Sequence, residues 1–242
     1  MHAVGIVAAA GSGLRLGAHR PKALVTLAGW PLVRWAVDGL LAGGVDEVVV
    51  AVPASRRAEF AAVLPAGVHL VDGGSTRTAS VRAALAAAPG EAGAVLVHDA
   101  ARPLTPPDVV ARVLAALAAG ARAVVPVLPV VDTTVVVDGD GVVTETVPRA
   151  ALRRVQTPQG FDRAALAAAY DALPADAELT DDAAVVRAAG IPVLTVAGDE
   201  RAAKVTVPHD LALAELSART TAEPASQAGP AAEERNEFGV EP

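Results

Sequence analysis

Between Val4 and Val127, short β-branched runs alternate with segments of helical spacing, and few architectures satisfy such an order. The runs Val4–Ala10, Glu47–Val52, Val68–Asp72, Ala94–His98 and Ala123–Val127 are mostly apolar, as expected of strands covered on both faces. Between them Leu32–Leu41, Ser55–Leu64, Ala79–Ala88 and Pro106–Ala119 read as helices. A βαβα series predicts a three-layer α/β sandwich around a mostly parallel, Rossmann-like sheet, with ligands bound beyond the carboxyl ends of the strands. With 242 residues, 52% of them apolar, the chain can fill one large core.

The first strand ends in a loop. From Gly11 the sequence GSGLRLGAHRPK supplies Gly11, Gly13 and Gly17, then Arg15 and Lys22. Glycines let the backbone come close to a ligand and turn N–H groups toward phosphate oxygens, and the two cations add fixed charge. The commoner phosphate loops do not fit. A dinucleotide fingerprint needs GxGxxG, and here the third glycine comes one residue late; a Walker loop needs Lys followed by Ser or Thr, and Lys22 is followed by Ala23. The pattern of strand, AAGxGxR and PK is similar to that of sugar-nucleotide and related nucleotidyltransferases.

Composition narrows the ligand. A formal charge of −7 argues against a nucleic-acid partner, so an anion site has to be local. Aromatic residues make up 2% of the chain, leaving backbone groups and short polar side chains to read a nucleobase. Cysteine is absent, which removes thiolate catalysis and Cys-ligated zinc and is compatible with the cytoplasm. The N-terminal apolar run lacks a basic leader and reads as a strand rather than a signal peptide. No stretch has the apolar length of a membrane span, so a soluble protein is expected.

Two more polar segments fall at strand ends. In VDGGSTRTASV, Gly73 and Gly74 can expose backbone groups, Arg77 adds charge and Ser80 offers a hydroxyl near a helix start; the same run also reads as a plain N-cap and turn. In VHDAARP, Asp99 closes the fourth strand and Arg102 follows. A carboxylate there suits Mg²⁺ bound together with substrate phosphates, or equally an Asp–Arg pair that caps a loop.

AAGSGLRLGAHRPK, VDGGSTRTASV and VHDAARP, in this order and spacing, resemble the 2-C-methyl-D-erythritol 4-phosphate cytidylyltransferases of the non-mevalonate isoprenoid pathway. The last two motifs are the more specific, and are shared chiefly with the ribitol 5-phosphate cytidylyltransferases. The resemblance implies transfer of CMP from CTP to a polyol phosphate with release of pyrophosphate, assisted by a divalent cation. It assigns catalysis to Arg15, Lys22 and Lys204, and the cytidine pocket to Ala9, Ala10, Gly74, Ser75 and Ser80 beside the loop glycines Gly11 and Gly13. Asp99, which would also hold the metal, is placed with Arg102, Thr133, Arg149 and Thr180 around the methylerythritol phosphate.

The likeness extends over roughly residues 4 to 217. Residues 132–150 look like the family's projecting β-arm, through which two subunits interlock. The residues themselves support a hairpin, since Thr133–Val137 and Val142–Val147 flank Asp138-Gly139-Asp140-Gly141. In the family an arm arginine, here Arg149, reaches the partner's site. Thr157-Pro158-Gln159 and Thr180-Asp181 match further motifs, and Thr180 also reads as an N-cap. Lys204 sits in AAKVTVPHDLALAE, which matches a closing strand and helix. Val131 departs from the pattern, standing where a basic residue is expected. The cytidylyltransferase domain is expected over residues 1–220 and a disordered tail over 221–242, where Ala, Pro, Gly, Ser and Glu lose apolar periodicity.

Overall fold

The computed structural model describes residues 1–11, 20–174 and 179–222. In chain order its elements are β1 (Ala3–Ala8), β2 (Thr26–Leu27), β3 (Trp30–Pro31), α1 (Leu32–Ala42), β4 (Glu47–Val52), α2 (Arg57–Ala61), β5 (His69–Asp72) and α3 (Arg77–Ala87). There follow β6 (Ala94–Asp99), α4 (Pro107–Ala118), β7 (Ala123–Pro129), β8 (Thr134–Val137), β9 (Val143–Val147), β10 (Arg153–Val155), β11 (Gln159–Asp162), α5 (Arg163–Ala172), α6 (Asp182–Ala188), β12 (Leu194–Ala197) and α7 (Pro208–Ala222).

Strands β5, β4, β1 and β6 lie side by side and parallel. Next to β6 comes β11, antiparallel, then β7 and finally β12, parallel to β7. Strand β10 runs along β7 beside β11, so β10 and β11 form the reversed insertion in an otherwise parallel sheet. This is the expected mostly parallel architecture. The reversal has a consequence for function, because it brings the start of β11 to the edge where the parallel strands end.

Strand alternation sorts the core into two layers. Val4, Ile6, Val49, Ala51, Val95 and Val97 face Val81 and Leu85 of α3, Leu166 and Tyr170 of α5 and Val186 of α6. Ala3, Val7, Val48, Val50, Val52 and Leu96 face Val33, Val37 and Leu40 of α1, Phe60 of α2 and Val113 of α4. Each fully buried Val or Leu contributes roughly 1.5–3 kcal/mol. At Gly5 the side chain of Leu40 packs so close to the strand that a Cβ would lie 2.9 Å from its Cδ1. A smaller cluster, Leu27, Leu32, Val205 and Ala218, holds α7 against the β2–β3 turn.

Several expected elements shift. The helix over Ser55–Leu64 shrinks to α2 preceded by a 3₁₀ turn at Ala54–Arg56, because Phe60 is the residue of α2 that is buried and little apolar surface stabilises a longer helix. Strand β1 stops at Ala8, although Ala9 N still donates to Ala51 O at 3.0 Å. Helix α3 begins at Arg77, capped by Thr76 accepting from Ala79 N at 3.0 Å, so Ser80 lies within the helix. No strand forms at Lys204, which sits on an irregular segment before α7. Helix α7 continues through Ala222, past residue 220. Among the described residues no helix is long and apolar enough to cross a membrane.

Candidate active site

Strands β1, β5 and β6 end around a cavity of about 610 Å³. Its wall takes Ala9, Ala10 and Gly11 from the end of β1, Gly74 and Ser75 from the turn after β5, Arg77 and Ser80 from α3, Asp99 from β6, and the side chains of Lys22 and Lys204. The position beyond the carboxyl ends of parallel strands is the one that this topology leaves open.

Each polar group is held by local packing. Lys22 starts a 3₁₀ turn whose next two residues, Ala23 and Leu24, are buried and anchor it. Gly73 and Gly74 let the turn after β5 lie flat on its neighbours: a Cβ at Gly73 would approach Ala10 Cβ to 2.7 Å, and one at Gly74 would collide with Ala79. The Ser80 hydroxyl donates to Thr76 O at 2.8 Å, tying α3 to that turn. Lys204 is fixed by its neighbour Val205, which is buried and whose N–H donates to Ala101 O at 2.8 Å.

Asp99 is the centre of the floor. Lys204 Nζ donates to its Oδ2 at 2.7 Å, and Arg77 Nε lies 3.4 Å from Oδ1. Burial by itself pushes the carboxyl up, but the nearby Arg77, Lys204 and Arg102 outweigh it and hold Asp99 well below the usual carboxylate range. Asp99 is therefore ionised at neutral pH and cannot act as an acid. Arg77 also reaches the fully buried Asp182, with Nη2 donating to Oδ2 at 2.6 Å, while Tyr170 Oη donates to the other oxygen at 2.6 Å. Burial works against the Arg77 charge, yet Asp182 and Asp99 prevail and raise its pKa above the ordinary value.

Behind Asp99 the reversed insertion supplies a second network. The Asp99 N–H donates to Thr157 Oγ1 at 3.1 Å, and that hydroxyl lies 2.8 Å from His98 Nδ1. His98 Nε2 is 3.3 Å from Arg102 O. With the threonine hydroxyl donating to Nδ1, the ring proton sits on Nε2 and the ring is neutral. Burial pushes His98 down to about 4, which agrees with that tautomer.

A family model described as 2-C-methyl-D-erythritol 4-phosphate cytidylyltransferase matches residues 3–220. The chain belongs to this cytidylyltransferase family. It is 58% identical over 215 residues to the enzyme of that name from Nocardia farcinica, covering 88% of this chain and 92% of the relative. It is 53% identical over 212 residues to the one from Rhodococcus opacus, covering 87% and 92% respectively. The crystal structure of the Thermus thermophilus cytidylyltransferase superposes with a TM-score of 0.76 at 41% identity, covering 90% of this chain and all of that one.

Of the residues singled out in the sequence, Ala9, Ala10, Gly11, Lys22, Gly74, Ser75, Ser80, Asp99 and Lys204 line this one cavity. Gly13, Gly17 and Arg15 lie outside the described residues. Arg102 turns away from the cavity: Nη1 donates to Ala202 O at 2.7 Å and Nη2 to Val155 O at 3.2 Å, stapling two backbone segments beside β6. Thr133 and Thr180 are exposed and do not line it. Arg149 closes the base of the hairpin, donating to Val131 O at 2.7 Å. The cap of α6 is Asp181 rather than Thr180; it accepts from Ala184 N at 2.8 Å and from Gln159 Nε2 at 2.9 Å.

Sequence reasoning passed over Asp182, Tyr170 and His98. A carboxylate directly after a helix cap reads as first-turn surface charge, and only α5 packed above α6 makes it interior.

The described residues do not make a metal site of their own. Both Asp99 oxygens already face cations, and among the described residues no group of three His, Asp or Glu side chains could hold a metal. No reaction step is assigned to a protein-bound metal.

Proposed function

We propose that this cavity is where the chain carries out the reaction of its family, the transfer of CMP from CTP to 2-C-methyl-D-erythritol 4-phosphate. A phosphate oxygen of the polyol attacks the α-phosphorus of CTP in line, the new P–O bond forms, the bond to the bridging oxygen of the β-phosphate breaks, and pyrophosphate leaves. The nucleophile is already an anion, so no general base is needed. The barrier lies in bringing two polyanions together, which calls for fixed positive charge and orientation.

The observation that carries this reading is the convergence of Lys22, Lys204 and Arg77 with Asp99 on one 610 Å³ cavity. Lys22, together with Arg15, meets the triphosphate. Lys204, oriented by Asp99, meets the phosphate of the polyol. The backbone of Ala9, Ala10, Gly74 and Ser75 reads the cytosine edge, and the tight turn at Gly73–Gly74 sets the width of the base pocket. A divalent cation such as Mg²⁺ arrives on the nucleotide phosphates, which together with water supply its oxygen ligands.

The β8–β9 arm serves a homodimer. Val135, Val136, Val137 and Val143 on it are exposed, and the hairpin forms its own two-stranded sheet instead of joining the main one. In a dimer Arg149 and Thr133 reach the polyol phosphate of the partner. A cytoplasmic location goes with substrates that are highly charged phosphates, which do not cross bilayers.

The decisive assay incubates purified protein with CTP, Mg²⁺ and either methylerythritol phosphate or ribitol 5-phosphate and follows pyrophosphate. Release with the first and not the second is expected. Release only with ribitol 5-phosphate would overturn the substrate assignment.

A further inference from the structure

We propose that Asp182 is a positioning residue for the transfer: acting through Arg77, it determines how Asp99 and Lys204 are presented to the polyol phosphate. This rests on the reading above, in which Asp99 and Lys204 meet that substrate. Asp182 does not line the cavity and touches no substrate itself. It occupies the first position of α6, fully buried under α5.

The geometry of Arg77 carries the inference. A guanidinium is a planar fork that grips a carboxylate best through two parallel N–H groups. Arg77 makes no such grip on Asp99. Its short bond, Nη2 to Asp182 Oδ2 at 2.6 Å, goes to the buried carboxylate, and Asp99 receives only the long approach of Nε at 3.4 Å. Asp99 therefore keeps Oδ2 for Lys204 at 2.7 Å.

Asp182 has a strong hold on the fork. Its other oxygen is occupied by the Tyr170 hydroxyl at 2.6 Å, so the carboxylate cannot rotate away. Burial and the adjoining Asp182 charge keep the Tyr170 phenol far above its usual range, and it remains a donor at any physiological pH. A buried carboxylate needs a cation, and Arg77 is the partner the packing gives it. Without the charge of Asp182, Arg77 is free to close on Asp99 with both arms. That motion draws Asp99 away from Lys204 and leaves the ammonium without its guide.

Steady-state kinetics on the full chain test this, using Asp182→Asn, Arg77→Gln, the double variant, and Asp99→Asn and Lys204→Ala as references. Asp182→Asn should raise KM for methylerythritol phosphate about tenfold, in the range found for residues of one network, while KM for CTP stays within about twofold. The double variant should match Arg77→Gln alone within about twofold, since Asp182 has nothing to act through once the guanidinium is gone.

A carboxylate that only stabilises the fold would lower the active fraction and leave both KM values in place. That result, or effects of Asp182→Asn and Arg77→Gln that multiply, overturns the proposal. If Asp182→Asn does not fold, Arg77→Lys decides, because one ammonium cannot span two carboxylates; it should show the same selective rise in KM, and an unchanged KM counts against us. Should Asp99→Asn and Lys204→Ala both leave the kinetics unaltered, the reading of the cavity fails, and this proposal with it.

Discussion

The floor of the cavity and the β8–β9 arm solve opposite problems with the same alphabet. From the buried Asp182 up to the floor, Asp182, Arg77, Asp99 and Lys204 alternate in sign, and each charge is met by the next at hydrogen-bond distance or close to it. On the arm, apolar Val135, Val136 and Val137 are left about half exposed to water. A buried charge tolerates no missing partner, because its desolvation is uncompensated the moment one is lost. An exposed valine tolerates the absence at small cost. The charges of the floor are therefore matched within one subunit, and the exposed valines of the arm fit the homodimer proposed above.

The contrast can be broken from either end. The largest effect should come from the cations proposed to meet the triphosphate. Lys22→Ala, and likewise Arg15→Ala, should remove roughly 2.7–4 kcal/mol of transition-state stabilisation, or two to three orders of magnitude in kcat, with the fold intact. Circular dichroism beside single-turnover rates checks both halves, and a variant within threefold of wild type would remove the cation from the mechanism.

Next is stability. Arg77→Ala strands the buried Asp182 carboxylate and should cost about 3 kcal/mol in urea unfolding, near the low end for broken buried pairs because the Arg77 side chain is 28% exposed to water. A loss below about 1 kcal/mol would mean that water enters and that the floor is not the sealed network it looks to be.

His98 gives a pH signature. The unfolded chain takes up the proton near 6.5 and the folded chain only near 4, so stability should fall as pH drops from 6.5 toward 4 and level off below. The integrated loss is roughly 3 kcal/mol. His98→Gln should lose that slope, whatever its stability at pH 7. Identical pH profiles for the two proteins would show that the ring is not held neutral.

The smallest effect on the monomer belongs to the arm. Val136→Asp should change the stability of a single subunit by no more than about 0.5 kcal/mol, since the side chain is 44% exposed there. In sedimentation equilibrium the same change should dissociate the dimer. Dimers that persist at micromolar concentration would take the arm out of the interface.

Much of this molecule can be read from its residues in order. The runs at Val4, Glu47, Val68, Ala94 and Ala123 are five of the parallel strands of the sheet, and residues at the ends of the first, third and fourth line one cavity. Such signals are local: a buried strand must be apolar along its own length, and a tight approach must carry glycine where it occurs. The hairpin was legible for the same reason, with four turn formers between β-branched runs.

What could not be read depends on neighbours far away in sequence. Strand β11 is buried in the sheet although Phe161 is its one large apolar side chain, and four residues reading QGFD do not announce a strand; its place between β6 and β7 makes it one, antiparallel to both. Arg102 carries the chemistry of a phosphate ligand, yet the carbonyl groups of Val155 and Ala202 claim it. Asp182 looks like surface charge until α5 covers it. The chain by itself determined which residues are able to form a sheet, a turn or an anion cradle, since those are properties of a few adjacent side chains. Tertiary structure alone decided which charges pair and which stay open to substrate, because the dielectric around a charge and the partner within its reach are set by segments about a hundred residues apart, as with Asp99 and Lys204.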